Sequence, residues 1–243
     1  MRTSTRQDAS RDHKLTLMMQ SASPVAMITL ALSLSFAAID RMMSLEPAWY
    51  STIFGVQYFA VSAVSALATL VVLLHGLKSS GHLGEAVHVE HFHDVGKLLF
   101  GFLVFWAYIS FSQFMLIWYA GIPEEATYYH LRWTEGWRTY SLFLAVGHFV
   151  IPFFLLISRN VKRRVPALAF GAGLLLVMHV AEVYWLVMPY ASEGRLDVQW
   201  MDVAALLAVV GTYAAVVFFW MTRFPLVPVG DPRLQTGLHH EVV

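Results

Sequence analysis

The chain has 243 residues, of which 58% are hydrophobic and only 13% charged, and its mean hydropathy is +0.59. Soluble domains carry about 25% charged residues, so the composition excludes an ordinary soluble domain. A formal net charge of zero leaves no electrostatic footprint for nucleic acid, and the absence of cysteine excludes disulfides, Cys-ligated zinc and Cys-bound iron–sulfur clusters from this chain.

The first 23 residues, opening "MRTSTRQDASRDHK", are polar and mixed in charge, and hold no apolar core of a cleavable signal peptide. Six apolar runs of bilayer-crossing length follow, at about 24–42, 52–75, 97–119, 138–158, 166–188 and 202–222, before a tail over 223–243. The expected fold is therefore all-α: an integral membrane bundle of six transmembrane helices. Ser23-Pro24 reads as a cap with proline at the first helical position. Of the Lys and Arg residues, 12 fall in the N-tail, the 76–97 loop, the 159–165 loop "RNVKRRV" and the C-tail, against four in the alternate connections. The positive-inside rule then places both termini in the cytoplasm.

Ionisable and polar groups punctuate these runs. Asp40 ends the first run beside Arg41, as an interfacial ion pair or as the outer mouth of a proton path. The stretch "HVEHFHDVGK" at 88–97 gathers His88, Glu90, His91, His93 and Asp94, but its spacing lacks the HExxH pattern of a specific zinc site. Interfacial polar residues account for it better, and no metal site is expected. Ser110, Ser112 and Gln113 add groups that bind water or join helices. Trp118, Tyr119, Tyr128, Tyr129, Trp133 and Trp137 surround the 120–138 connection, as an aromatic belt at the headgroup level or a docking surface for another subunit.

His148 lies mid-run in "AVGHFVIPFF", and Pro152 four residues later cannot donate to its carbonyl, which predicts a kink. "LLLVMHVAEVYWLVM", at 174–188, carries His179 and Glu182 three residues apart, on one helical face. Counting from the 159–165 loop at 1.5 Å per residue, His148 and His179 differ in depth by only ~3 Å. Ionisable groups at membrane depth are costly and point to function. Three readings fit them: polar groups satisfied within the bundle, a proton-conducting cluster, or a bis-histidine haem between neighbouring helices. Burial disfavours charge on carboxyl and imidazole alike, so the two groups can exchange a proton near neutral pH. Asp202 opens the sixth run, where a carboxylate complements a helix N-terminus or joins the proton path.

The stretches "SFAAIDRMMSLEPAWYSTIFGVQYF", "HDVGKLLFGFLVFWAYISFSQFMLIWYAGIPEE" and "GWRTYSLFLAVGHFVIPFFLLISRNVKRR" resemble one family. It is the second NrfD/polysulfide-reductase-type membrane subunit of alternative complex III, a bacterial quinol:cytochrome c oxidoreductase. The resemblance runs from about Pro24 to Arg223, and "FSQFMLIWYAGIPEE" is its most specific part. Members usually have more spans, and the six here correspond to the C-terminal part. The resemblance implies a multi-pass subunit of the bacterial cytoplasmic membrane with no redox centre and no cofactor of its own. It would sit beside a homologous quinol-binding subunit, with iron–sulfur and cytochrome c subunits on the outer side. Its role would be quinone association at the level of the complex, proton translocation, or both. By that analogy the proton carriers are His148, His179, Glu182 and Asp40. The rival expectations are a cytochrome b-like haem anchor, a stand-alone proton-coupled transporter and a structural scaffold.

Overall fold

The computed structural model describes residues 2–84, 86–134 and 136–238. Among them every regular element is helical: α1 (Arg2–Ser10), α2 (His13–Arg41), α3 (Phe54–Ser79), α4 (Val89–Ala120), α5 (Pro123–Leu131), α6 (Trp137–Leu144), α7 (Ile151–Ile157), α8 (Arg159–Arg163), α9 (Val165–Ala191), α10 (Trp200–Arg223) and α11 (Leu234–Leu238). Six helices among the described residues are long and apolar enough to cross a membrane: α2, α3, α4, the continuous Trp137–Ile157 segment, α9 and α10. This is the pattern of a multi-pass membrane protein, with backbone polar groups satisfied inside each helix.

The spans over 137–157, 165–191 and 200–223 begin and end within a few residues of the apolar runs. Two others start much earlier. α2 begins at His13, so Pro24 lies inside the helix and Ser23-Pro24 is no cap; Ser23 instead donates to the Met19 carbonyl at 2.9 Å. α4 begins at Val89, because His88 and His91 form a reciprocal cap in which the His88 N–H donates to His91 Nδ1 at 3.1 Å. Polar end turns extend both helices beyond the apolar stretch that hydropathy detects.

The chain divides into two compact units, and the division falls inside α2. One comprises residues 1–27, 83–87 and 197–243, the other residues 28–82 and 88–196. In the first, the two chain ends are tied together rather than being free polar tails. Gln7 bonds Thr16 across the α1–α2 turn, the Gly230 N–H donates to Asp8 at 2.9 Å, and Arg233 donates to Gln20 at 2.9 Å.

In the second unit, α3 packs along both α4 and α9. Ala60, Val64, Ala68 and Val71 of α3 are buried at helical spacing, as are Leu99, Leu103 and Trp106 of α4 and Leu168, Ala172 and Leu175 of α9. The small residues in these stripes let the helix backbones approach closely, which is what holds helices together where lipid supplies no hydrophobic drive. At one end, Ala38, Trp49, Phe54, Ile117, Tyr128 and Leu186 form a further core cluster, with the Trp49 and Tyr128 rings stacked at 3.9 Å.

The aromatic belt expected around 118–137 divides in two. Trp118, Tyr119 and Trp133 are exposed as a belt requires, whereas Tyr128 and Trp137 are buried core residues. Periodicity within a connection does not distinguish these fates; α5 is a helix, and it turns Tyr128 inward.

Candidate functional site

Where a kink was expected before Pro152, the helix widens into a π turn over Ala145–Val150. The Ile151 N–H reaches back to the Val146 carbonyl, so the ladder changes register just ahead of the proline that cannot donate. The turn contains Gly147 and His148, both buried. A Cβ on Gly147 would lie 2.5 Å from Met178 Sδ, so the missing side chain is what lets the π turn approach α9.

That approach sets His148 against Glu182. His148 Nδ1 lies 3.0 Å from Glu182 Oε2, with His148 fully buried and Glu182 only 2% exposed. The N–H direction is not aimed at the oxygen, so this is a close approach rather than an aligned hydrogen bond. Trp106 of α4 binds both members of the pair. Its Nε1–H donates to Glu182 Oε1 at 2.8 Å, and its ring stacks on the His148 imidazole at 4.2 Å between centroids. Three helices thus converge on one carboxyl–imidazole pair screened from solvent.

His179 occupies the turn of α9 before Glu182. It is half-buried, its Nδ1 is buried without a hydrogen-bond partner, and it feels the charge of both Glu182 and His148. The structure therefore brings His148, His179 and Glu182 into one neighbourhood, with His148 against Glu182 and His179 one turn before it on α9. Asp40 is not part of this group: it is exposed at the end of α2, where its backbone carbonyl accepts from Ser44 at 2.6 Å. Asp202, in the other compact unit, is the third residue of α10, where its carboxylate accepts the Gln199 N–H at 2.9 Å and caps the helix.

A cavity of about 670 Å³ opens beside Glu182. Glu182 and Trp106 stand in its wall together with Ser110, Tyr129, Arg132 and Trp185. Ser110 Oγ is buried without a protein partner, and Trp185 Nε1 donates to Ser141 at 2.8 Å. Gln113, 1% exposed, bridges Ser51 and Tyr129 at 3.4 Å each.

Arg132 is the principal group that the sequence did not single out. It is 1% exposed, yet every side of its guanidinium is engaged. It pairs with Glu46 at 2.6 Å, donates to the carbonyls of Tyr128, Trp185 and Leu186 at 3.0, 3.3 and 2.9 Å, and lies 3.4 Å above the Tyr128 ring. Glu46 is itself 8% exposed. Trp106 was also missed, since an indole in an apolar run reads as lipid-facing bulk. For Arg132 a signal existed: Pro189 in α9 leaves the Trp185 carbonyl without a helical donor, and a nearby arginine in an aromatic loop is a suitable substitute.

The residues of 88–97 have separate partners. Glu90 pairs with Arg163, Asp94 with Lys97 at 2.7 Å, and His91 with the backbone of His88. Comparison with known proteins finds no family model that matches the chain and no curated protein that matches it.

Proposed function

We propose that this chain is a proton-handling membrane subunit of a respiratory quinol-oxidising complex of the alternative complex III type, with His148 and Glu182 as the proton-exchanging pair. The observation that carries the proton-handling part is the 3.0 Å approach of His148 Nδ1 to Glu182 Oε2, both side chains being buried. An acid and a base in contact pass one proton between them, leaving either a neutral pair or an ion pair. Low dielectric magnifies the difference between these states. Trp106 selects between them, because its N–H stabilises a carboxylate better than a carboxylic acid. The cavity beside Glu182 is a path by which water reaches the pair, and His179 is the next group along α9.

The respiratory assignment rests on the sequence resemblance. In this reading iron–sulfur and cytochrome c subunits carry the electrons, a homologous membrane subunit binds quinol, and this chain binds no redox centre. The lysine and arginine distribution supports both termini on the cytoplasmic side of a bacterial inner membrane. The Arg132–Glu46 end of the bundle would then face outward.

The test uses the host complex reconstituted in proteoliposomes, with Glu182→Gln and His148→Gln variants. Proton translocation per electron should fall in both, while quinol oxidation by an uncoupled preparation persists. Full coupling in both variants overturns the proposal. The same preparation addresses the haem reading, because a reduced-minus-oxidised Soret change assigned to the isolated chain would replace proton exchange by axial ligation.

A further inference from the structure

The start of α4 and the short helix α8 bring together a second set of ionisable groups, independent of the His148–Glu182 site. His93 is 5% exposed, and its Nδ1 is buried without a hydrogen-bond partner. The charges acting on it are those of Lys97, Glu90, Lys162 and Arg159. The carboxylates here are engaged, Glu90 with Arg163 and Asp94 with Lys97. Among the described residues neither Lys162 nor Arg159 forms an ion pair with a carboxylate.

Lys162, on α8, is only 8% exposed. Its stem crosses α4 at Gly96, where an added Cβ would lie 3.3 Å from Lys162 Cγ, and its Nζ sits 5.1 Å from the Phe100 ring centre. Burial, and then the charge of Lys97, pulls its ammonium group below the ordinary value. A lysine whose stem is buried and whose ammonium has no carboxylate partner is a cation that a bound anion would complement.

Apolar surface adjoins this charge. Phe100 packs on Phe153 at 5.5 Å between ring centres, and Phe154 and Ile157 of α7 are 70% and 52% exposed. A soluble anion would meet the cations and leave this flank uncovered, whereas an amphiphile matches both. Basic pockets between membrane helices recognise lipid headgroups in this way.

We infer that His93, Lys162 and Arg159 form a binding site for the phosphodiester headgroup of an anionic phospholipid, whose acyl chains lie along the exposed face of α7. Phosphate oxygens accept from the Lys162 ammonium and the Arg159 guanidinium, and the His93 imidazole supplies a further donor. Two cations without carboxylate partners favour a headgroup with two phosphodiesters over one with a single charge.

The experiment follows thermal unfolding of the purified full chain in detergent, with added diphosphatidylglycerol, phosphatidylglycerol, phosphatidylcholine or inorganic phosphate. The melting temperature should rise with phosphatidylglycerol, rise further with diphosphatidylglycerol, and stay unchanged with phosphatidylcholine or phosphate. Arg159→Gln, at an exposed position, and Lys162→Gln should each raise the half-saturating lipid concentration about fivefold, the factor expected for one interfacial cation. Lys162→Arg should retain the response. Arg159→Gln alone decides the matter should Lys162→Gln not fold. Equal stabilisation by phosphatidylcholine, stabilisation by inorganic phosphate alone, or an undiminished lipid response in Arg159→Gln overturns the inference.

Discussion

Arg132 Nε donates to the Trp185 carbonyl at 3.3 Å, and that carbonyl is the one whose helical donor would be the nitrogen of Pro189. A side chain from α5's end thereby completes the hydrogen bonding of α9, and the same guanidinium neutralises the buried Glu46. Removing it leaves a carboxylate and several carbonyls unsatisfied together. Arg132→Ala should destabilise the chain by about 3–5 kcal/mol, the range for breaking one side of a buried pair. Thermal unfolding in detergent measures this. Adding Glu46→Gln should recover part of the loss, because the stranded charge is removed. Arg132→Lys should recover little, since a point charge does not reproduce a planar fork of donors.

Trp106 joins α4 to the acid–base pair through two separable contacts. Trp106→Phe keeps an aromatic face for His148 but deletes the Nε1 donor to Glu182. Leaving that buried oxygen without its partner should cost about 1–3 kcal/mol. In a Glu182→Met background the same substitution should cost much less, and a double-mutant cycle on the unfolding free energies gives the coupling. Equal costs in both backgrounds would show that the indole acts through packing alone.

Much of this arrangement was legible in the chain, and what was not has a physical reason. The six spans are visible because lipid demands long apolar helices, and His148, His179 and Glu182 stand out because charge is rare there. The depth count sets His148 level with His179, and the structure has it meet α9 one turn further on, at Glu182. Two features have no local signature. The π turn at 145–150 lies just ahead of Pro152, where the proline predicts an irregularity, whereas the Gly147–Met178 approach beside it is encoded by no spacing rule. Arg132 and Glu46 lie 86 residues apart, in connections whose polar residues look like surface. Asp40 is exposed at the end of α2, a placement that both an interfacial group and the mouth of a path would have.

The phenol of Tyr129 offers a pH test outside the membrane-crossing helices. Burial raises its pKa from the ordinary 10.0 to about 12, against the opposing effects of the Gln113 hydrogen bond and the Arg132 charge. Tyr128, buried against Arg132, is shifted in the same direction by the same cause. In the unfolded chain these phenols ionise at the ordinary value. The folded state therefore holds more protons above pH 10, and stability must fall as pH rises between 10 and about 12. Below that window the contribution is fully present. Tyrosinate absorbance should show late-titrating phenols in the folded chain. Tyr129→Phe should remove one of them and flatten the alkaline loss of stability. Titration of every tyrosine at its ordinary value would contradict the buried placement of α5.

Gly147 is where packing and proposed chemistry meet most closely. An alanine methyl there would fall 2.5 Å from Met178 Sδ and 3.4 Å from its Cε, and Met178 is only 4% exposed, so the thioether must move within a filled interior. Overpacking of this kind costs about 1–3 kcal/mol. Gly147→Ala should lower the unfolding temperature, and Met178→Ala should relieve it, making the double variant more stable than the two single losses predict. Gly173, on the same α9 but with nothing within 4 Å of an added Cβ, is the control. Gly173→Ala should stabilise slightly, by about 0.5–1 kcal/mol, through helix propensity alone. If the π turn's approach to α9 is what holds His148 against Glu182, Gly147→Ala should also reduce proton translocation per electron in the host complex. Gly173→Ala should leave it intact, so a general softening of α9 would be distinguished from a separation of the acid–base pair.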